Sequence, residues 1–406
     1  MGIVVPEDLL TWRWKFYGPG MAHFGDFQYE IYLQGAAGQL PSLPVTYDEL
    51  ERTAHAAMSP EGRGYVAGGA SSEQTVRANR EAFDRWRIVP RMLRGAAERD
   101  LSTTVLGTAM PAPVMLAPVG VLGILHPDGE LAAARGAAAV GVPMILSTLG
   151  SVPMEDVAAE LGESPGWYQL YWPNNRDVAA SLVQRAEKAG FRALVVTVDT
   201  GILAWRPRDL ALGYLPFLRG EGLANYFTDP AFRAALAKPP EEDIQSAVGY
   251  WIGMFGSLAL TWDDLAWLRT VTTLPIVLKG ILHADDARRA IDCGVSGVLV
   301  SNHGGRQVDG AVGALDCLPG VVAVAGELPV LFDSGVRTGA DVIKALALGA
   351  RAVLVGRPYV YGMALAGADG VRHVLRCLLA DLDLTCALAG LRAVADIGAG
   401  TVVPRP

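Results

Sequence analysis

Eight short apolar runs, at residues 114–119, 142–146, 167–171, 193–198, 275–278, 297–300, 329–332 and 352–355, alternate for the most part with helical patterns such as 285–293 and 339–348. Runs without polar alternation suit strands buried on both faces, as in parallel sheets covered by helices. Gly141, Gly190, Gly294 and Gly349 each stand just ahead of a run, where a left-handed residue ends a helix and returns the chain to the sheet. The stretches LPIVLKG…DDARRAIDCGVSGVLVSN and LPVLFDSG…GADVIKALALGARAVLVGR repeat one βα unit. Eight such units predict an α/β fold, a closed (β/α)8 TIM barrel, with a doubly wound open sheet as the alternative.

Around this barrel the sequence predicts an N-terminal helical segment, with helices over 46–58 and 72–84. Residues 1–25 read as a poorly ordered arm, 26–395 as a single domain, and 396–406 as a tail. One interval breaks the cadence: about 200–273, after the fourth strand, holds a Pro239-Pro240 break and a further helix, is too long for a scaffold connection and reads as a lid insertion.

Polar residues gather where the runs end. The first run leads into Pro118, Val119 and Gly120, and the next three end in Ser147, in Gln169 and Tyr171, and in Thr197 and Asp199. Lys279, His303, Asp333 and Gly356-Arg357 follow the later ones. In a barrel these positions share one mouth, the end at which active sites of the fold lie. The loop Asp333-Ser334-Gly335-Val336-Arg337-Thr338-Gly339, followed one strand later by Gly356-Arg357, offers backbone N–H groups, arginines and a helix start, the makings of a phosphate cradle. No G-x-G-x-x-G follows a strand and no P-loop is present, which disfavours a Rossmann-bound nicotinamide or a P-loop nucleotide.

With 34 Lys+Arg against 42 Asp+Glu and no long basic run, the chain does not read as a nucleic-acid binder. Residues 109–125 lack charge but hold Pro111, Pro113 and Pro118, and 136–149 are too short to span a membrane, so neither a membrane nor export is expected. Cys293, Cys317, Cys377 and Cys386 form no CxxC and no zinc spacing; they read as reduced thiols of a cytoplasmic protein without a metal site.

The most informative stretch is Ser301-Asn302-His303-Gly304-Gly305-Arg306-Gln307. A histidine flanked by glycines at a strand end approaches a ligand closely, and an arginine three residues on reaches the same ligand. Asp199 is either the carboxylate that orients this imidazole or a helix N-cap with Thr200. SNHGGRQ, together with LKGI, TVDT, FDSGVRTG and VGRP, resembles the FMN-dependent 2-hydroxy-acid oxidising family over about residues 26–395. Within it the chain is most similar to the lactate 2-monooxygenases. That likeness rests on YVAGG at 65–69, APVG at 117–120, YQLYWP at 168–173 and WRPRDL…PFLRG…NY.TDP through 205–230.

The resemblance implies FMN as cofactor and a small L-2-hydroxy acid and O2 as reactants. It makes His303 the base that takes the hydroxyl proton as hydride leaves for the flavin, with Asp199 its partner. Arg306 and Tyr65 would clamp the carboxylate, Arg206 would add a second cation, and Tyr171 would hold the hydroxyl or keto oxygen. Lys279 would sit beside the flavin pyrimidine. Ser147, Gln169, Thr197, Pro118, Val119 and Gly120 would line the ring; Asp333, Gly335, Arg337, Gly356 and Arg357 would complete the cofactor site. The roles make physical sense: an Arg fork suits a carboxylate, and a carboxylate-backed imidazole suits a base near neutral pH. Gly120, lacking a methyl beside the ring, is expected to leave room for pyruvate and peroxide together. The expected reaction is therefore L-lactate and O2 to acetate, CO2 and water, with release of the 2-keto acid and hydrogen peroxide as the alternative. A homo-oligomer, tetramer or octamer, is implied by the family alone.

Overall fold

The computed structural model describes residues 23–405. Eight parallel strands close into a barrel: β1 (Val114–Leu116), β2 (Met144–Ser147), β3 (Gly166–Tyr171), β4 (Leu194–Thr197), β5 (Ile276–Lys279), β6 (Gly297–Val300), β7 (Val330–Phe332) and β8 (Ala352–Val355). They pair in chain order, and β8 closes on β1 with Val353 beside Val114 and Val355 beside Leu116. The open-sheet alternative is excluded by that closure. The apolar runs have the cause anticipated: nearly every strand residue is buried, because one face looks into the barrel and the other onto the surrounding helices. Gly141, Gly190, Gly294 and Gly349 all take left-handed φ, from 69 to 105°, at the turns into β2, β4, β6 and β8.

Two cores result. Met115, Ile145, Trp167, Val195, Val277, Leu299, Leu331 and Leu354 point inward and fill the barrel, while alternate residues pack under the helices. A short antiparallel hairpin, Thr103–Val105 with Thr108–Met110, sends Val105 and Met110 into the inner cluster. Its Thr108 hydroxyl accepts the Trp167 indole N–H at 2.9 Å. The barrel floor is thereby sealed, which leaves the opposite mouth as the open end.

Helices over Tyr47–Ala57 and Gln74–Asp84 fall where the sequence placed them. The expected arm at 1–25 lies outside the described residues apart from its last three. The expected tail does differ: Val402–Pro404 pairs with Trp86–Ile88, so the chain to 404 belongs to the packed body. The segment between β4 and β5 contains more than the one helix expected there. It holds helices Pro207–Ala211, Ala224–Phe227, Pro230–Ala234, Ile244–Met254 and Asp264–Val271. An aromatic cluster packs it: Trp251 lies 5.0 Å from Phe217 and 4.7 Å from Phe255 between ring centres. Asp229 anchors it to the scaffold, capping Pro230–Ala234 and accepting from Ser181 and Arg185. Among the described residues no helix is long and apolar enough to cross a membrane.

Candidate active site

The strand exits converge on a concave pocket at the barrel mouth, lined by residues from the loops after most strands. His303 sits just past β6 and faces it. The imidazole Nδ1 is 2.8 Å from Asp199 Oδ1, while Nε2 is 3.3 Å from the Tyr171 hydroxyl. An N–H on Nδ1 donated to Asp199 leaves Nε2 with its lone pair toward the cavity. The N-cap alternative for Asp199 falls, because the next helix begins only at Pro207. Burial alone would push the Asp199 carboxyl up. The charges of His303 and Lys279, with hydrogen bonds from His303 and Thr200, outweigh it and hold the group well below the usual carboxylate range. His303 is held below the ordinary imidazole value, chiefly by burial and despite Asp199. Gly280 makes the approach possible, since a Cβ there would lie 2.7 Å from that of Asp199.

Several partners escaped the sequence reading. The Thr200 hydroxyl donates to Asp199 at 2.8 Å and lies 3.2 Å from His303 Nδ1. Ser301 Oγ accepts from Lys279 Nζ at 2.9 Å and from the His303 N–H at 3.0 Å. Lys279 stands between two carboxylates, 3.9 Å from Asp199 and 3.6 Å from Asp333. Ser334 Oγ donates to Asp333 at 2.6 Å and accepts the Gly304 N–H at 3.0 Å, joining the loops after β6 and β7.

Five cationic side chains line the cavity, Arg206, Lys279, Arg306, Arg337 and Arg357, against one carboxylate, Asp333. The Arg306 guanidinium lies 5.3 Å over the Tyr65 ring and donates to the Gly68 carbonyl at 2.6 Å. Burial, with Arg206 and Arg357 nearby, brings its pKa down to about 9, a cation in want of an anion. Arg206 is fixed by the Arg306 carbonyl at 3.2 Å and the Gln307 side-chain oxygen at 2.9 Å. Arg357 spends three N–H groups on the carbonyls of Val66, Gly304 and Gly68. The YVAGG segment thus contributes backbone acceptors as well as Tyr65. At the far end Arg337 lies 4.3 Å over Tyr47, beside Gly335 and Gly356.

Ser147, Gln169 and Thr197 do not line this cavity directly. They form a buried row on β2, β3 and β4, with Ser147 Oγ donating to Gln169 at 3.1 Å and Gln169 Nε2 donating to Thr197 at 2.9 Å. Pro118, Val119 and Gly120 do line it. The room expected at Gly120 is absent: a Cβ there would meet the Leu149 carbonyl at 2.8 Å and its Cβ at 3.0 Å. The loops after β1 and β2 approach so closely that the glycine is a packing requirement.

The model of the family described as FMN-dependent dehydrogenase matches residues 54–404. The chain belongs to the FMN-dependent dehydrogenase family. An FMN-dependent alpha-hydroxy acid dehydrogenase of Penicillium citrinum is 47% identical over 379 residues, covering 92% of this chain and 94% of the relative. An L-lactate oxidase of Lysinibacillus sphaericus is 42% identical over 375 residues, covering 92% and 96%. A crystal structure of mandelate oxidase with (S)-4-hydroxymandelic acid superposes with a TM-score of 0.79 at 39% identity, covering 89% of this chain and 99% of that one.

The residues present fit the FMN of this family. The cation excess matches an anionic phosphate and a second anion: burial first, and neighbouring arginines after it, hold Arg306 and Arg337 below the usual guanidinium value. Gly335, Gly356 and Arg337 would hold the phosphate, and Lys279 with the exit of β1 would flank the ring. Among the described residues no group of three or more His, Cys, Asp and Glu could hold a metal ion.

Proposed function

We propose that this FMN-dependent dehydrogenase family member oxidises a small L-2-hydroxy acid, with L-lactate as first candidate. The observation that carries the reading is the His303 ring, backed at Nδ1 by Asp199 and presenting Nε2 beside Tyr171 in a cavity that also holds Arg206 and Arg306. FMN supplies the acceptor for the hydride of the substrate α-carbon. Arg306, seated over Tyr65, and Arg206 take the carboxylate; Tyr171 holds the hydroxyl, and His303 Nε2 removes its proton. Asp199 stabilises the resulting imidazolium, and Lys279 fixes a positive charge beside the ring.

The finer reading is that pyruvate is retained and decarboxylated, so that L-lactate and O2 give acetate, CO2 and water. Enclosure supports it: Leu203, Phe217 and Phe255, from the expected lid, form an apolar wall over the carboxylate clamp. Phe217 lies 6.5 Å from the Tyr65 ring and Phe255 lies 5.6 Å from Tyr171. Aerobic incubation of the yellow protein with L-lactate tests both levels. Acetate without free peroxide fits retention; pyruvate with hydrogen peroxide makes the chain an oxidase. Failure of lactate to bleach the flavin under argon would remove lactate as substrate. A cytoplasmic enzyme fits the four unpaired cysteines. A homo-oligomer fits the exposed Ile202, Trp205, Leu258 and Val308, and light scattering would give its number.

A further inference from the structure

We propose that Asn79, on the helix Gln74–Asp84 outside the barrel, is a positioning residue that fixes the His303 turn through Asn302. The inference rests on the reading of His303 as the base. Residues 302–305 form a tight turn closed by the Gly305 N–H on the Asn302 carbonyl at 3.0 Å. Its two central residues, His303 and Gly304, have φ of 58 and 65°. Glycine and asparagine suit such positions; histidine does so only where surrounding structure over-determines it.

Three side-chain oxygens hold the turn. Ser301 Oγ accepts the His303 N–H at 3.0 Å, Ser334 Oγ the Gly304 N–H at 3.0 Å, and Asn302 Oδ1 the Gly305 N–H at 3.1 Å. Of these, Asn302 is the one locked from outside the barrel. Its amide and that of Asn79 exchange two hydrogen bonds, Asn79 Nδ2 to Asn302 Oδ1 at 2.8 Å and Asn302 Nδ2 to Asn79 Oδ1 at 2.7 Å. The pair is closed off by Val312 O, which accepts from Asn302 at 3.1 Å, and by the Ala314 N–H, which donates to Asn79 at 3.0 Å. Both side chains are buried, so water cannot replace a lost partner. The helix also touches the turn and the neighbouring loop through backbone. A Cβ on Gly305 would lie 2.7 Å from the Val76 nitrogen, and one on Gly335 would lie 3.0 Å from the Asn79 carbonyl. Asn79 thus sits where the His303 turn and the loop after β7 meet, without reaching the cavity itself.

The test compares wild type, Asn79→Ala and Asn79→Asp as FMN-loaded proteins. The readout is the rate of anaerobic flavin bleaching by L-lactate per bound flavin. With Asn79→Ala the rate is expected to fall about ten-fold or more while the concentration for half-maximal rate changes little, because geometry at the base is lost and the carboxylate clamp is intact. Asn79→Asp keeps the acceptor for Asn302 and Ala314 but loses the donor to Asn302, so a smaller fall is expected, and this variant carries the test if the alanine protein does not fold. A second readout needs no flavin. In the ¹⁵N-histidine spectrum of the flavin-stripped protein, the Nδ1–H signal of His303 bonded to Asp199 should broaden or move in the variants. A bleaching rate per flavin within about two-fold of wild type, with an unmoved His303 signal, overturns the proposal even if melting temperature drops. If His303→Ala bleaches at the wild-type rate, the failure belongs to the reading of His303 instead.

Discussion

Burial lowers the pKa of His303 although Asp199 pulls the other way, and the ring is therefore neutral at pH 7 with Nε2 able to accept a proton. A base with a lowered pKa loses activity only on the acid side of its ordinary value, so the acid limb of kcat/KM should fall below about pH 6.5. A limb centred above pH 7 would assign the proton transfer to another group. His303→Ala should retain FMN, because Gly335, Gly356 and Arg337, which would hold its phosphate, are unchanged, and lose most of the rate of flavin reduction; unchanged bleaching would exclude His303. Arg306 responds in the opposite sense. Its pKa is depressed to about 9, so affinity for a carboxylate inhibitor such as oxalate should weaken as pH rises through that value. Arg306→Lys should lower kcat/KM by about ten-fold or more, because a point charge cannot form the fork. Wild-type kinetics there would place the carboxylate elsewhere. These residues were legible because a histidine between a buried strand and two glycines has few other uses. Thr200, Ser301 and Ser334 were not, since a hydroxyl beside a charged residue acquires its role only from distances across the chain.

The insertion between β4 and β5 depends on a few polar anchors, and Asp229 is the most exposed to test. Its carboxylate is fully buried, caps a helix through Ala231 and Phe232, and accepts from Ser181 and Arg185. Asp229→Ala removes the helix cap and the acceptor of Ser181, while Arg185 keeps Glu155 and the Asn225 carbonyl, so the cost is about 2 kcal/mol. The damage should be local: limited proteolysis would cut within 200–275 while the barrel stays resistant, and KM should rise because Phe217 and Phe255 lose their mounting. Simultaneous loss of barrel and insertion would show instead that Asp229 stabilises the whole molecule. The barrel itself was readable, as strands buried on both faces leave apolar runs that survive any register. The hairpin at 103–110 and the strand Val402–Pro404 were not, because three-residue strands carry no period. The insertion showed one helix in the sequence, but its short helices were hidden for a related reason: they span four or five residues, and their order comes from aromatic packing with partners far along the chain.

At the scale of the whole molecule, the net charge and the charge of the site have opposite signs. The chain carries a formal net charge of −8, yet five cations line the mouth against one carboxylate, and with Arg337 and Lys279 given to FMN, Arg206 and Arg306 still face the substrate carboxylate. At physiological ionic strength the Debye length is about 8 Å, so an approaching hydroxy-acid anion feels the remote acidic surface little and the cationic mouth strongly once it arrives. Low-dielectric walls, here the apolar face of the insertion, concentrate that field. The consequence is a sign that can be measured. Raising salt should lower kcat/KM for lactate by increasing KM, with kcat unchanged, because screening weakens capture and leaves the enclosed chemistry untouched. Two salts with different anions would separate screening from competition for the Arg306 site. An increase of kcat/KM with salt would mean that the net negative surface governs approach. The cation cluster would then act only after entry, as a clamp on the bound anion.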